Sequence, residues 1–178
     1  LEEPFSRNSF STASLHFSGE PVINRIEEWI DDTNQKYQSQ RSSCSVLESA
    51  FAGFYPSQFL QDSYFVVVDD IPKPNFPELR EMGLGDFIDR PINGITYKDT
   101  YYVDRNQANN LQLHFHELVH VSQWDFLGPA DFISRYINEI QVHGYDSAPL
   151  EKMAYTLDNH YFTGGAALDV PSYVQSKM

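Results

Sequence analysis

Residues 114–120 read His-Phe-His-Glu-Leu-Val-His (HFHELVH), and this stretch guides the interpretation of the whole chain. It contains three of the six histidines and one glutamate among apolar neighbours. Within it lies the pattern H-E-x-x-H, formed by His116, Glu117 and His120. On a helix, positions i and i+4 lie one turn apart on the same face. The spacing therefore predicts that the imidazoles of His116 and His120 point in the same direction.

Two imidazoles placed in this way can bind one zinc ion at about 2.0–2.1 Å. Glu117 projects beside such an ion, too far round the helix to bind it with ideal geometry. From there its carboxylate can take a proton from a zinc-activated water. His114 is predicted to lie on the other side of the helix, where it makes a polar contact. The alternative is a helix of core histidines that are hydrogen-bonded to their neighbours.

A tetrahedral zinc ion with one open position needs a third protein ligand. Phe126 stands where the metzincin pattern would place a third histidine, so the ligand is expected from a later helix. Glu139 has Arg135 four residues before it, and an ordinary surface ion pair accounts for it. Glu151 opens its helix close to Ala154, whose small side chain lets that helix approach the zinc helix. The spacing favours Glu151 and leaves Glu139 as the alternative.

The remaining periodicities predict an α+β protein with an extended arm over residues 1–20 and one domain over residues 21–178. Helical patterns begin near Pro21, near Asn109 or Asn110, at residue 130 and near Pro149. Strand patterns cover residues 64–70 and 94–104, the second being one long strand or a hairpin that turns at Lys98-Asp99. The tail after residue 165 is predicted to be irregular.

Composition restricts the possible partners and cofactors of the 178-residue chain. Its formal net charge of −13 argues against nucleic acid, because a phosphate backbone requires a basic surface. No apolar run approaches the roughly 20 residues of a membrane span. Cys44 is the single cysteine, so neither an intrachain disulfide nor a multi-thiolate metal site can form. Oligomeric state and compartment are left open.

Three stretches carry a resemblance to a known group of enzymes: GITYKDTYYV, HFHELVHVSQW and PLEKMAY. Together they resemble the gluzincin clan of zinc metallopeptidases. They are more similar to the minimal gluzincin-type domains found beside contractile-injection proteins and in small bacterial metallopeptidases. The resemblance covers about residues 94–160 and is strongest at 116–123.

This resemblance implies a zincin-like fold, with an active-site helix below a small mixed sheet and a downstream glutamate helix. It implies that His116, His120 and Glu151 bind zinc and that Glu117 is the general base. Many gluzincins have an aspartate four residues after the ligand glutamate, whereas this chain has Tyr155. The Tyr155 hydroxyl is a candidate to bond a zinc histidine or to stabilise charge on the substrate, and the alternative is simple packing.

The expected function is zinc-dependent hydrolysis of a peptide or protein substrate. An extended substrate is expected to pair with an edge strand around residues 95–103. Tyr97, Tyr101 and Tyr102 would then border the cleft, unless they only pack within the sheet. The alternative is a zinc-stabilised binding or assembly module without turnover. Four residues are candidates to orient the zinc histidines: Tyr155, Asp158, Asn159 and Gln123.

Overall fold

A computed structural model describes residues 19–178, and a small mixed sheet lies at its centre. The strand order is β1-β2-β4-β3, in which β2 and β4 are parallel and the other two pairs are antiparallel. All but the last two residues of the predicted arm 1–20 lie outside the described part. The strands are β1 (Ser42–Ser43), β2 (Tyr64–Val68), β3 (Gly94–Tyr97) and β4 (Thr100–Asp104).

Helices surround this sheet and account for most of the regular structure. The α+β class is therefore confirmed, and the three helices predicted after residue 108 all form. The prediction of an irregular tail after residue 165 is wrong. Asp169 caps a helix there, and this helix buries Val170 and Val174. The α-helices are α1 (Glu20–Lys36), α2 (Ser57–Gln61), α3 (Pro77–Glu81), α4 (Gly85–Asp89), α5 (Leu111–Leu127), α6 (Pro129–His143), α7 (Pro149–Phe162) and α8 (Val170–Lys177).

The β3–β4 segment forms a hairpin rather than one long strand. The chain reverses at Lys98 and Asp99, and Lys98 has a φ of 61°. The hairpin was one of the two alternatives predicted for this segment. β3 lies at one edge of the sheet, whereas β4 lies between β2 and β3. Within residues 95–103, only β3 therefore offers an edge with which an extended substrate could pair. Tyr101 and Tyr102 do not border the cleft, because β4 is interior and both side chains are fully buried.

Helix α5 passes through the middle of the protein and is buried from His114 to Trp124. The Asn110 side chain accepts a hydrogen bond from the Leu113 N–H and caps the first turn. Gly128, with a φ of 77°, ends the helix. One core cluster includes Phe115 and Leu118, and a second includes Trp124. Polar side chains on α5 therefore face protein and must find partners there.

The described helices can also be compared with the dimensions of a lipid bilayer. A membrane-crossing helix needs about 20 predominantly apolar residues. Within residues 19–178 no helix combines that length with sufficient hydrophobicity.

Candidate metal centre

His116 and His120 on α5 meet Glu151 on α7 in a buried group that could hold a metal ion. The two Nε2 atoms are 3.2 Å apart. Glu151 Oε2 lies 3.1 Å from His116 Nε2 and 3.3 Å from His120 Nε2. Each of the three residues is at most 6% exposed. The helix that carries the two histidines and the helix that carries the glutamate thus bring three potential ligand atoms to one point.

These separations fit the requirements of a small tetrahedral cation. Ligand atoms held at about 2.0–2.1 Å from such an ion are roughly 3.3–3.4 Å from one another. The three observed distances, 3.1, 3.2 and 3.3 Å, lie close to that value. The group therefore needs only a slight expansion to bind an ion.

The outward ring nitrogen of each histidine is already hydrogen-bonded. Asp158 Oδ2 lies 2.7 Å from His116 Nδ1, and Gln123 Oε1 lies 2.7 Å from His120 Nδ1. A carboxylate or amide oxygen can only accept, so both Nδ1 atoms carry the proton. When both rings are neutral, both Nε2 lone pairs point at the shared centre, which is the tautomer that a metal ligand requires.

The two oxygen partners are held in place by further hydrogen bonds. Gln112 Nε2 donates to the other Asp158 oxygen at 2.9 Å. Gln123 Nε2 donates to the Leu150 carbonyl at 3.0 Å, which links α5 to the start of α7. Among the four residues proposed to orient the histidines, Asp158 and Gln123 do so. Asn159 is exposed and faces away.

The Glu151 carboxylate is oriented by a tyrosine that the sequence did not indicate. The Tyr136 hydroxyl on α6 donates to Glu151 Oε1 at 2.7 Å. The second oxygen, Oε2, is thereby left facing the histidines. Nothing in the sequence distinguishes Tyr136 from the other apolar-face residues of α6, so only the packing of α6 against α7 reveals its role.

The charges in this group favour a bound cation. Burial lowers the pKa of His116, but hydrogen bonds to Asp158 and Glu151 outweigh it and raise the pKa to about 10. Burial raises the pKa of Glu151, but the charge on His120 and bonds to both histidines hold it below its usual range. The carboxylates of Glu151 and Asp158 therefore attract positive charge into a buried space. A divalent ion would supply that charge with both histidines neutral.

Glu117 lies beside the metal group and is itself buried. Thr96 donates a hydrogen bond of 2.7 Å to Glu117 Oε2. The other oxygen faces Gly94, where a Cβ atom would lie only 2.6 Å from Oε1. Burial raises the pKa of Glu117 above the usual range of a carboxyl group, although both histidines oppose the shift. Such a carboxylate is well suited to accept and return a proton.

Glu139 does not join the metal group, and its predicted ion pair with Arg135 forms, but Glu139 does not lie at the surface as expected. The side chain is buried, because α6 packs it against the first turn of α7. Arg135 Nε donates to Oε1 at 2.9 Å, and the Leu150 N–H donates to Oε2 at 2.8 Å. Glu139 thus caps the helix that carries Glu151.

His114 makes the polar contact that its position on α5 predicted. Its Nε2 lies 2.7 Å from the Ala108 carbonyl oxygen, which can only accept a hydrogen bond. Its Nδ1 therefore accepts from the Tyr101 hydroxyl at 2.6 Å. Both ring nitrogens are engaged, and the residue lies outside the metal group.

An open polar cleft of about 380 Å³ leads to this group. His116 and Glu117 lie on its floor, and Asn93 and Gly94 form one wall. Tyr155 also lines it, 43% exposed, with its ring centroid 4.6 Å from that of His116. Tyr155 cannot bond the outward nitrogens of His116 and His120, because Asp158 and Gln123 already occupy them. Its hydroxyl has no hydrogen-bond partner within residues 19–178.

Thr96, Gly94 and Tyr145 belong to the site, although the sequence did not indicate them. Gly94 carried a usable signal, since a glycine within a strand often marks a close approach of another group. Thr96 follows two residues later on the same strand, and so faces the same helix. Tyr145 lies just after the end of α6. Its position at the cleft depends on the tertiary fold, so the local sequence did not indicate it.

Comparison with models of protein families, with curated proteins and with solved structures finds no match to this chain. The features of the chain that bear on its chemistry are the buried metal-binding group, the adjacent Glu117 carboxylate and the open cleft beside them.

Proposed function

We propose that the protein is a zinc-dependent metallopeptidase with a zincin-like fold of the gluzincin type. The observation that carries the proposal is the position of Glu117, a buried carboxylate beside a His-His-Glu group at the floor of an open cleft. Two histidines and one glutamate are a ligand set typical of catalytic zinc. Zinc bound there would polarise a substrate carbonyl and make a water molecule more acidic.

Each surrounding residue has a defined task in this reaction. Glu117 takes the proton of the attacking water and later delivers it to the leaving amine. Thr96 holds Glu117 Oε2, so the proton is received on Oε1, the oxygen beside Gly94. Tyr155 lines the cleft, and its hydroxyl, which has no partner among residues 19–178, can donate to the negative charge that develops on the carbonyl oxygen.

The substrate backbone would lie along the N-terminal end of β3. An extended peptide can add to the free edge of a sheet through main-chain hydrogen bonds. Further along β3 the Thr96 carbonyl already accepts a hydrogen bond from Trp124 Nε1 at 3.2 Å. The Asn93 carbonyl is also taken, by the Asp104 N–H at 2.8 Å. The available edge is therefore centred on Gly94, next to Glu117.

A non-catalytic zinc module would be expected to fill the remaining coordination position with its own chain. Within residues 19–178, no further histidine, cysteine, aspartate or glutamate joins His116, His120 and Glu151. The cleft reaches His116 from solvent. Both observations favour the enzyme over the binding module.

The test is cleavage of a mixed-sequence peptide library by the zinc-loaded protein, with products identified by mass spectrometry. Wild type should cleave, whereas Glu117→Gln should retain zinc and fold but lose activity by about 10²–10⁴-fold, because an amide cannot accept the proton. A zinc-loaded wild type that cleaves no member of the library would support the non-catalytic module. Activity close to wild type in Glu117→Gln would remove the proposed mechanism.

A further inference from the structure

One arginine lines the open cleft beside the metal group, among several acidic side chains. Within residues 19–178, Arg90 is the only lysine or arginine that borders this cleft, whereas Glu117, Asp146 and Asp158 all do. Carboxylates in a cleft act together and repel an anionic ligand. Arg90 is therefore the one side chain of the cleft whose permanent positive charge can balance an anionic group on a ligand.

Both the main chain and the side chain of Arg90 are held in place. Lys73 Nζ donates hydrogen bonds to the Arg90 carbonyl and, at 3.0 Å, to the Phe87 carbonyl. Arg90 Nη1 donates to Asp146 Oδ1 at 2.9 Å, and the guanidinium carbon lies 5.1 Å from the centre of the Tyr145 ring. Asp146 and Tyr145 follow α6, whereas Arg90 precedes β3. Contacts from two separate segments thus fix the direction of the guanidinium group.

The guanidinium group has donors to spare for a ligand. It carries five N–H donors, and within residues 19–178 its one hydrogen bond is the bond from Nη1 to Asp146. Nε and Nη2 lie side by side in the planar fork that matches the two oxygens of a carboxylate. The side chain is 39% exposed, so a ligand in the cleft can reach it. A carboxylate can therefore bind Arg90 without displacing Asp146.

The ion pair itself gives Arg90 little value for stability. The Asp146 side chain is 70% exposed, and ion pairs at such exposure contribute little to folding. The pair does hold the guanidinium group beside Tyr145 before any ligand arrives. A group that is already positioned loses less conformational freedom on binding, which favours a role in recognition.

We propose that Arg90 forms a carboxylate-binding subsite of the cleft and selects substrates that carry a carboxylate a few residues from the scissile bond. The inference rests on the proposed function and narrows its substrate class. Gly94, at the available edge of β3, is four residues after Arg90, so their Cα atoms are at most about 14 Å apart. An extended substrate advances about 3.3 Å per residue. The carboxylate is therefore expected within roughly four residues of the substrate residue beside Gly94.

Two parts of a peptide can supply this carboxylate, its free C-terminus or the side chain of an aspartate or glutamate. Antiparallel strand pairs are slightly more stable per residue than parallel pairs. A substrate that runs antiparallel to β3 directs its C-terminal part from Gly94 toward Arg90. A free C-terminus bound there would make the enzyme remove short C-terminal pieces, whereas an acidic side chain would allow cleavage within a longer chain.

Zinc-directed probes test the subsite without requiring turnover. Malonyl hydroxamates that carry one to four alanines are prepared with a C-terminal carboxylate or the matching amide. In a second series the C-terminus is an amide, and one alanine is replaced by glutamate or by glutamine. With the zinc-loaded protein, calorimetry should give at least one acid a Kd about tenfold lower than that of its amide, as expected for a charge-assisted bidentate contact.

The two series distinguish the sources of the carboxylate. A preference for the acid in the first series assigns the subsite to the free C-terminus. A preference in the second series alone assigns it to an acidic side chain. Equal affinity of acid and amide in both series, or binding of none of the probes, overturns the proposal.

Substitution of Arg90 should abolish the preference and nothing else. Arg90→Gln should bring the Kd of the acid to that of the amide or above it, with the Kd of the amide unchanged. Arg90→Lys keeps the charge without the planar fork and should restore part of the preference. Arg105→Gln is the matched control, since Arg105 is an exposed arginine that bonds Asp69 outside the cleft, and it should bind all probes as wild type does. A preference that persists in Arg90→Gln contradicts the assignment.

A peptide library with free and amidated C-termini separates failure of the subsite from failure of the enzyme. Cleavage that requires a carboxylate near the scissile bond supports both proposals. Cleavage without such a requirement overturns the subsite and leaves the peptidase standing. Absence of all cleavage overturns the peptidase, and the probe affinities then decide the subsite on their own.

Discussion

Glu139 Oε2 accepts a hydrogen bond of 2.8 Å from the N–H of Leu150, the residue directly before the metal-group Glu151. The first N–H groups of a helix have no partner within the helix, and here a buried carboxylate from α6 supplies one. A carboxylate at this end also complements the helix dipole. Glu139 is therefore a positioning residue that fixes the start of α7, and with it the direction from which Glu151 reaches the histidines.

We expect Glu139→Ala to weaken zinc binding by about tenfold, well short of the loss in Glu151→Ala, because it removes an outer partner and not a ligand. It should also lower the free energy of unfolding by about 1–3 kcal/mol, since the Leu150 N–H is left unsatisfied. Chelator competition and chemical denaturation measure the two effects. Glu139→Gln retains an acceptor and should restore most of the zinc affinity. A larger loss of zinc in Glu139→Ala than in Glu151→Ala would transfer the ligand role to Glu139.

Zinc stoichiometry tests the histidine pair directly. The purified protein should bind about one zinc ion per chain, and His116→Ala and His120→Ala should each abolish stoichiometric binding, because two ligands cannot hold a site that needs three. His143→Ala, an exposed histidine at the end of α6, is the matched control and should bind zinc normally. Metal analysis after dialysis gives the result. Retention of a full zinc ion by either α5 variant would show that the ligand assignment is wrong.

Asp158 should matter for zinc affinity although it does not touch the metal. Its carboxylate fixes the Nδ1–H tautomer of His116, and loss of such a partner typically weakens metal binding by about 10- to 100-fold. We expect Asp158→Ala to show this change in competition with a chelator. Asn159→Ala removes the exposed neighbour on the same helix and should be neutral. If the two variants bind zinc equally well, the Asp158–His116 hydrogen bond has no role in metal affinity.

The H-E-x-x-H spacing was sufficient to predict the two histidines, the adjacent glutamate and the helix that carries them. These positions follow from the periodicity of one helix, so no tertiary information is needed. Glu151 was favoured over Glu139 because the small Ala154 side chain allows α7 to approach α5 closely. Glu151 does lie with the two histidines, and Ala154 is fully buried.

Contacts between separate helices and strands could not be predicted from the periodicity of the sequence. Glu139 has Arg135 at i−4, a pattern typical of a surface ion pair, yet α7 covers it and uses it as a cap. Tyr101 and Tyr102 follow a strand pattern that fits an edge or an interior position equally well. Their burial depends on β2 pairing with β4 across 36 residues of sequence, for example Phe65 with Tyr101. Pairing between distant segments leaves little trace in the local pattern.

Gly94 is required because Glu117 approaches the backbone of β3. A Cβ atom at this position would lie 2.6 Å from Glu117 Oε1, so Gly94→Ala must displace the carboxylate. A displacement of about 1 Å in a catalytic group costs on the order of 100-fold in rate. We expect that loss in peptide cleavage with zinc content unchanged. Gly85→Ala is the matched control, since its Cβ would meet nothing closer than 3.8 Å, and it should retain full activity. Equal activity of the two variants would refute the close approach.

Tyr155 provides the last test, because its exposed hydroxyl is the proposed donor to the substrate carbonyl oxygen. Tyr155→Phe keeps the ring that packs against His116 and removes only the hydroxyl, so zinc affinity and stability should not change. The kcat for peptide cleavage should fall by about 100-fold with little change in KM, because the hydrogen bond forms chiefly in the transition state. Tyr161→Phe, on the same helix with its hydroxyl bonded to the Ala50 carbonyl on the other side, should retain kcat. If Tyr155→Phe also retains kcat, the hydroxyl only borders the cleft, and Tyr145, which also lines the cleft, becomes the donor to test by the same substitution.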